Sequence, residues 1–310
     1  IQELSQAEAR GYRRRGHLTR AMARLMRKKI AIACMVTLAV LYAGGIFAAW
    51  VSPHAYTDQD YTAIRKGPSI ETGSGLAGLW TKSHLAGTDR AGRDLFTRVL
   101  WAIQNTVILT VVAMLTGGIV IGVTLGLVSG YFGGKVDGLI MRIGEVFASF
   151  PTIFLVIIIA ATLRPRFLLW VRWIEDNTFV DGLVKTGVVD YLVVSLALVS
   201  FGWIGMARLV RGQVLSLKET QHVEAARATG ASTPRLLFIH LLPNAISPIV
   251  VTVTMGMGVF IGTEIFLSWL GLGIQPPRPS LGRMLLDGGN IGVLRTEPWT
   301  LLTPGIAAFL

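Results

Sequence analysis

Residues 30–51 contain no charged side chain, and at 1.5 Å per residue a helix of that length crosses the roughly 30 Å hydrocarbon core of a bilayer. A lipid-embedded backbone must satisfy its own hydrogen bonds, so such a run is a helix before anything else is known about it. Residues 105–128 are also uncharged, and residues 246–270 carry one charge, Glu264. Further spans are expected from Arg142 to Leu163 and from Tyr191 to Met206, with a sixth beginning at Trp299. An all-α integral membrane protein with six transmembrane helices is therefore expected. Composition agrees, with 52% hydrophobic residues, 15% charged residues and a mean hydropathy of +0.58. The chain opens on Ile1 and closes at Leu310 inside the sixth apolar run, so both ends, and that span, are expected to be truncated.

The net charge of +11 does not point to nucleic acid, because the basic residues cluster beside apolar runs without an aromatic platform. They read as orientation signals and contacts to membrane lipid. Residues 1–29 hold nine Lys/Arg against Glu3 and Glu8, which places the N-terminus on the cytoplasmic side. Leu18, Ala21, Met22 and Leu25 form an apolar stripe there, as in a helix lying on the membrane surface. Residues 52–100 are polar with nearly balanced charge and read as an external loop, leaving residues 101–310 as the main helical body.

Gly118, Gly122, Gly126 and Gly130 fall four apart, extended by Gly134, and predict close approach of a second helix. Pro151, after Phe150, should bend the third span. Residues 164–190, with Trp170, Trp173 and mixed charges, read as an amphipathic piece at the outer interface. Glu264 inside the fifth span must face protein or water, either as a structural hydrogen-bond partner or in a pathway.

Residues 218–243 form a polar elbow between the fourth and fifth spans. Helix-forming residues 222–229 end at Gly230, a natural C′ position; Thr233 and Pro234 read as N-cap and first helical residue, and Pro243 as the close of the second piece. Such an elbow suits docking of a partner. Catalytic motifs are absent, and His17, His54, His84, His222 and His240 have no metal-ligand spacing. Cys34 is the only cysteine, and GYFGGKVD fails as a phosphate loop because Ser129 and Val136 occupy the required Gly and Ser/Thr positions. No catalytic residue, metal or cofactor is expected in this chain, which reads as a channel or transport subunit drawing energy from elsewhere.

Glu224-Ala225-Ala226, followed by Gly230 and then Leu242-Pro243, resembles the EAA loop of permease subunits in ATP-binding-cassette importers. GTDRAGRDLFTRV at 87–99, SGYFGGKVD at 129–137, ARLVRGQVLSLKE at 207–219, HLLPN at 240–244 and LSWLGLGIQPPRPSLG at 267–282 resemble the C-type permeases of bacterial dipeptide and oligopeptide importers. The segment 164–190 departs from that pattern by its length. The resemblance implies a type I importer permease fold in the bacterial inner membrane, with a cytoplasmic coupling helix at Glu224, Ala225, Ala226 and Gly230. It also implies a second homologous permease, two cytoplasmic ATPases that bind ATP and Mg, and an external substrate-binding protein. A pathway between the permeases would draw on Phe150, Pro151, Met255, Met257 and Glu264 of this chain. Di- or oligopeptides are the implied cargo; nickel chelates, glutathione or antibiotic peptides are the alternatives within the architecture, and a gated channel or membrane scaffold is the alternative outside it.

Overall fold

A computed structural model describes residues 28–69, 84–179, 182–184 and 186–310, so the expected apolar stripe at residues 18–25 lies outside the described residues. The first apolar run forms α1 (Lys29–Ile46) and a short α2 (Ala48–Val51). α3 (Leu95–Ala113), a π-helical stretch (Met114–Val123) and α4 (Thr124–Phe132) join into one rod. α5 (Gly134–Ala148), α6 (Thr152–Asn177) and α7 (Val188–Leu217) follow. The elbow contains α8 (Gln221–Ala228) and α9 (Thr233–Arg235), and a second π-helical stretch (Leu236–Leu241) leads into α10 (Leu242–Trp269). α11 (Leu281–Gly288), α12 (Ile291–Thr296) and α13 (Trp299–Phe309) complete the chain. Among the described residues five helices are long and apolar enough to cross a membrane: Lys29–Ile46, Leu95–Phe132, Thr152–Asn177, Val188–Leu217 and Thr233–Trp269. The sixth apolar helix, α13, is shorter.

The glycine ladder sets how the two central rods meet. A Cβ added at Gly122, Gly126 or Gly130 would come within 2.7, 2.6 and 2.7 Å of the Cβ atoms of Met206, Val210 and Val214. Both partners advance by four residues together, so the α3–α4 rod and α7 run parallel, with their C-terminal ends on the elbow side. Gly118 instead faces the Met114 sulfur, and Gly134 has nothing within 4 Å of a would-be Cβ, so the contact covers the middle of the ladder only.

Several boundaries differ from the sequence reading. The second span starts at Leu95, ahead of Asn105, because Asp94 caps it by accepting the Thr97 N–H at 2.8 Å. The third span does not bend at Pro151; it breaks. α5 ends at Ala148, and Pro151, in extended conformation (φ −60°, ψ 115°), caps α6. Proline has no N–H for the ladder and biases Phe150 away from the helical region, which gives a stop and a restart. Arg142 and Glu145, 3.6 Å apart and exposed, thus sit on the separate α5. Residues 164–177 are no separate interfacial piece but the continuation of α6. Their charges are accommodated locally: Arg164 pairs with Asp190 at 3.0 Å, and Glu175 accepts the Val184 N–H at 2.9 Å. The fourth span runs through Arg208 and Arg211 to Leu217.

At the end of the rods opposite the elbow, side chains from distant segments interlock. Asn105 of α3 donates to the Pro279 carbonyl at 2.8 Å and accepts from the Tyr191 hydroxyl of α7. Arg278 donates to that hydroxyl at 3.2 Å and to the Thr186 carbonyl at 2.6 Å. Asp190 accepts the Gln275 N–H at 3.0 Å, so the loop after α10 is tied to the start of α7.

Candidate functional site

The elbow is built around one inward-facing side chain. Val223 is fully buried, packed in a cluster with Leu127, Val214 and Leu237, whereas Glu224 and Ala225 are exposed. Ala226 is half-buried against the same cluster. α8 ends in a Schellman motif: the Gly230 N–H donates to the Arg227 carbonyl at 3.0 Å and the Ala231 N–H to the Ala226 carbonyl at 3.1 Å. Gly230 has φ +82°, which a side chain enters only with strain. The chain restarts at Ser232, in extended conformation, one residue before the expected Thr233 cap. Pro243 does not close the second piece. The wider π-helical turn at Leu236–Leu241 precedes it, and Pro243 falls in the first turn of α10, where its missing N–H costs little. His222, Ala225, Thr229, Gly230, Arg235 and His240 line an open recess of about 430 Å³ on this face.

Polar contacts fix the elbow to its neighbours. Asp137 at the start of α5 receives both Arg211 Nε and Arg211 Nη2 of α7 at 2.5 Å, and Ser129 Oγ of α4 donates to it at 2.5 Å. The Arg211 hydrogen bonds hold the Asp137 carboxyl below its ordinary value against the opposing effect of burial. Arg227 of α8 lies over the Tyr131 ring, 5.8 Å from its centroid. Ser129, Tyr131, Asp137 and Arg211 lie within the stretches SGYFGGKVD and ARLVRGQVLSLKE, but neither their contacts nor the role of Val223 was read from the sequence. An aspartate four residues after Gly133 and an arginine inside ARLVRG carry no pattern that announces a pair 74 positions apart.

The pathway candidates are not gathered in one place. Phe150 and Pro151 lie exposed at the break between α5 and α6. On α10, Met255 is 73% exposed, Met257 is half-buried and Glu264 is fully buried. Glu264 accepts from Thr106 Oγ1 of α3 at 2.8 Å and from Ser268 Oγ at 2.7 Å. A cleft of about 280 Å³, lined by Met114, Gly118, Val156, Phe201, Gly256 and Phe260 among others, opens between the central rods, α6 and α10. Its walls are mainly apolar, and only Gly118 among them had been marked in the sequence.

Apolar helices of spanning length, packed through glycines and joined by a polar hairpin, define a multi-pass membrane protein. The sequence pattern of the family described as "Binding-protein-dependent transport system inner membrane component" matches residues 122–310, and that of the "N-terminal TM domain of oligopeptide transport permease C" matches residues 18–68. The chain is 33% identical to the dipeptide transport system permease protein DppC of Alkalihalophilus pseudofirmus, covering 94% of this chain and 83% of the relative. It is 35% identical to the oligopeptide transport system permease protein OppC of Bacillus subtilis, over 92% and 80%. The glutathione transport system permease protein GsiD of Pectobacterium atrosepticum is 34% identical over 93% and 83%. The chain belongs to the binding-protein-dependent permeases of ATP-binding-cassette importers, in the peptide and glutathione branch.

Proposed function

We propose that this permease forms half of a pathway for di- or oligopeptides and that its elbow takes up the movement of a cytoplasmic ATPase. The observation that carries the reading is the division of labour on α8. Val223 anchors the helix to the chain's own core, while Glu224 and Ala225 are left facing outward beside the recess. A helix so anchored and so exposed is suited to sit in a partner's groove. The names of the relatives, dipeptide and oligopeptide permeases, support the cargo. The nine Lys/Arg of residues 1–29 and the basic Arg208, Arg211, Lys218 and Arg227 around the elbow support a cytoplasmic location for both. In this reading a second permease completes the pathway, two ATPases bind ATP and Mg, and an external binding protein delivers cargo. Phe150, Pro151, Met255 and Met257 are the proposed lining, with Glu264 as the buried link between α10 and α3 behind it.

The test is Gly230→Leu in the complete complex reconstituted in vesicles. No heavy atom lies within 4 Å of a Cβ at Gly230, but the positive φ is unfavourable for leucine by about 1–2 kcal/mol, so the turn angle changes without a clash. The expected result is normal membrane insertion and continued ATP hydrolysis with peptide uptake reduced at least about tenfold, the factor that 1.4 kcal/mol represents. Uptake at the wild-type rate would overturn the coupling role. Running dipeptide, oligopeptide and glutathione in parallel separates the cargoes.

A further inference from the structure

At the end of α3 opposite the elbow, His54 from the segment after α2 meets His84 and Asp94 from the segment before α3. One potential ligand atom from each lies within 4.8 Å of the others. His84 is 5% exposed and Asp94 3%. The two imidazoles stack with centroids 5.0 Å apart, and His54 Nε2 is buried without a hydrogen-bond partner. We propose that His54, His84 and Asp94 bind a divalent transition-metal ion of the zinc class. This inference is independent of the cargo and of the coupling role.

The surroundings have the order that a metal site requires. His84 Nδ1 and Asp94 Oδ1 face each other at 3.0 Å, with Asp94 Oδ2 held by the Thr97 N–H at 2.8 Å. The opposite ring nitrogen, His84 Nε2, faces Asp60 Oδ2 at 3.8 Å, while Asp60 Oδ1 is occupied by the Thr62 N–H at 2.9 Å and the Thr62 hydroxyl at 2.6 Å. A ligating histidine commonly points its second nitrogen at a carboxylate, and a ligating carboxylate is itself hydrogen-bonded; the second contact is formed at Asp94, and Asp60 stands beside His84 Nε2 at ion-pair distance, beyond a hydrogen bond. Bonds of about 2.0–2.2 Å from nitrogen and oxygen ligands need a small opening of the His84–Asp94 pair, now at 3.0 Å, and a closing-in of His54, whose ligand atom lies within 4.8 Å of theirs. The ion takes the place of the hydrogen between Nδ1 and Oδ1, and the ligating imidazole keeps its N–H on Nε2, on the Asp60 side. Two imidazoles and one carboxylate suit zinc and its neighbours rather than calcium or magnesium, and leave a fourth tetrahedral position for water or an external group. Histidines 30 positions apart in the chain show no ligand motif; only the fold over α3 brings them together. Bound there, the ion would staple residues 54–62 and 84–94 to the start of the rod that packs against α7.

The full chain, purified from membranes through a tag free of histidine and stripped with a chelator, is titrated with Zn²⁺ by calorimetry and with Co²⁺ by visible absorption. One stoichiometric Zn²⁺ per chain is expected, together with a tetrahedral-type Co²⁺ spectrum. His54→Ala leaves the buried His84–Asp94 hydrogen bond intact, so it should fold, and it should lose stoichiometric binding. Asp60→Asn should weaken binding by about 10–100-fold, as loss of an outer carboxylate does. A His17→Ala, His222→Ala, His240→Ala triple variant should bind as the wild type does. Absence of stoichiometric binding by the wild type, undiminished binding by His54→Ala, or loss of binding in the triple variant would each overturn the proposal.

Discussion

Val223 and Asp137 hold the elbow in different ways. Val223 contributes through burial alone, and Val223→Ala removes side-chain carbons that pack against Leu127 and Leu237. Full burial of a valine is worth about 1.5–3 kcal/mol, and its partial loss should loosen α8 without unfolding the spans. Faster amide hydrogen exchange confined to residues 221–230 is the expected readout; exchange unchanged there would mean that the elbow is held from elsewhere. Asp137 contributes through charge. Its carboxyl is held below the ordinary value, first by the Arg211 hydrogen bonds, so the folded state favours the ionised form. The stabilisation is therefore fully present above the unfolded-state value of about 4 and is lost as pH falls through the lowered folded value. Asp137→Asn should lower the melting temperature near neutral pH, and the difference from wild type should shrink below about pH 4. A pH-independent difference would assign the effect to packing.

Among the elements, the glycine-packed pair α4 and α7 is the most constrained. A Cβ at Gly126 would stand 2.6 Å from Val210 Cβ and 2.7 Å from the Ala207 carbonyl oxygen, neither of which is the end of a flexible side chain. Gly126→Ala must push the helices apart and should cost about 1–3 kcal/mol, read as a lower melting temperature in detergent. Gly212→Ala is the control: nothing lies within 4 Å of its Cβ, and alanine gains up to about 1 kcal/mol in helix propensity. Equal effects of the two changes would remove the ladder's packing role. The four-residue spacing made this contact readable in the sequence, and the same holds for the C′ glycine of α8, because both are local patterns. What escaped depended on distant partners. Arg164 reads as a charge that ends a span until Asp190 is placed beside it, and Glu264 has an undecided role until Thr106 is. Pro151 and Pro243 look alike in sequence, yet one separates two helices and the other sits in a first turn after a π-helical stretch. Which outcome occurs depends on the turn that precedes each proline and on what it packs against.

Across the whole molecule, α7 links two opposite ends. Its C-terminus leads into the elbow, and its N-terminus meets Asn105, Arg278 and the loop after α10. Because α7 is parallel to the α3–α4 rod and packed against its glycines, the coupling role proposed for the elbow would have a displacement there move both rods as a unit instead of bending one. On the same proposal the Arg278 cluster would carry that movement to the far loop, since it ties Tyr191 and Thr186 to the segment after α10. Arg278→Ala removes donors to Tyr191 and Thr186 and a cation positioned 5.4 Å from the Tyr191 ring centroid. It leaves α8, Val223 and the Asp137 pair untouched. In the assembled complex, basal ATP hydrolysis should persist while its stimulation by loaded binding protein falls several-fold, since the signal from the far end no longer reaches the rods. Basal and stimulated rates falling together would mean that Arg278 serves general stability, and the parallel rods would then not be the connection between the two ends.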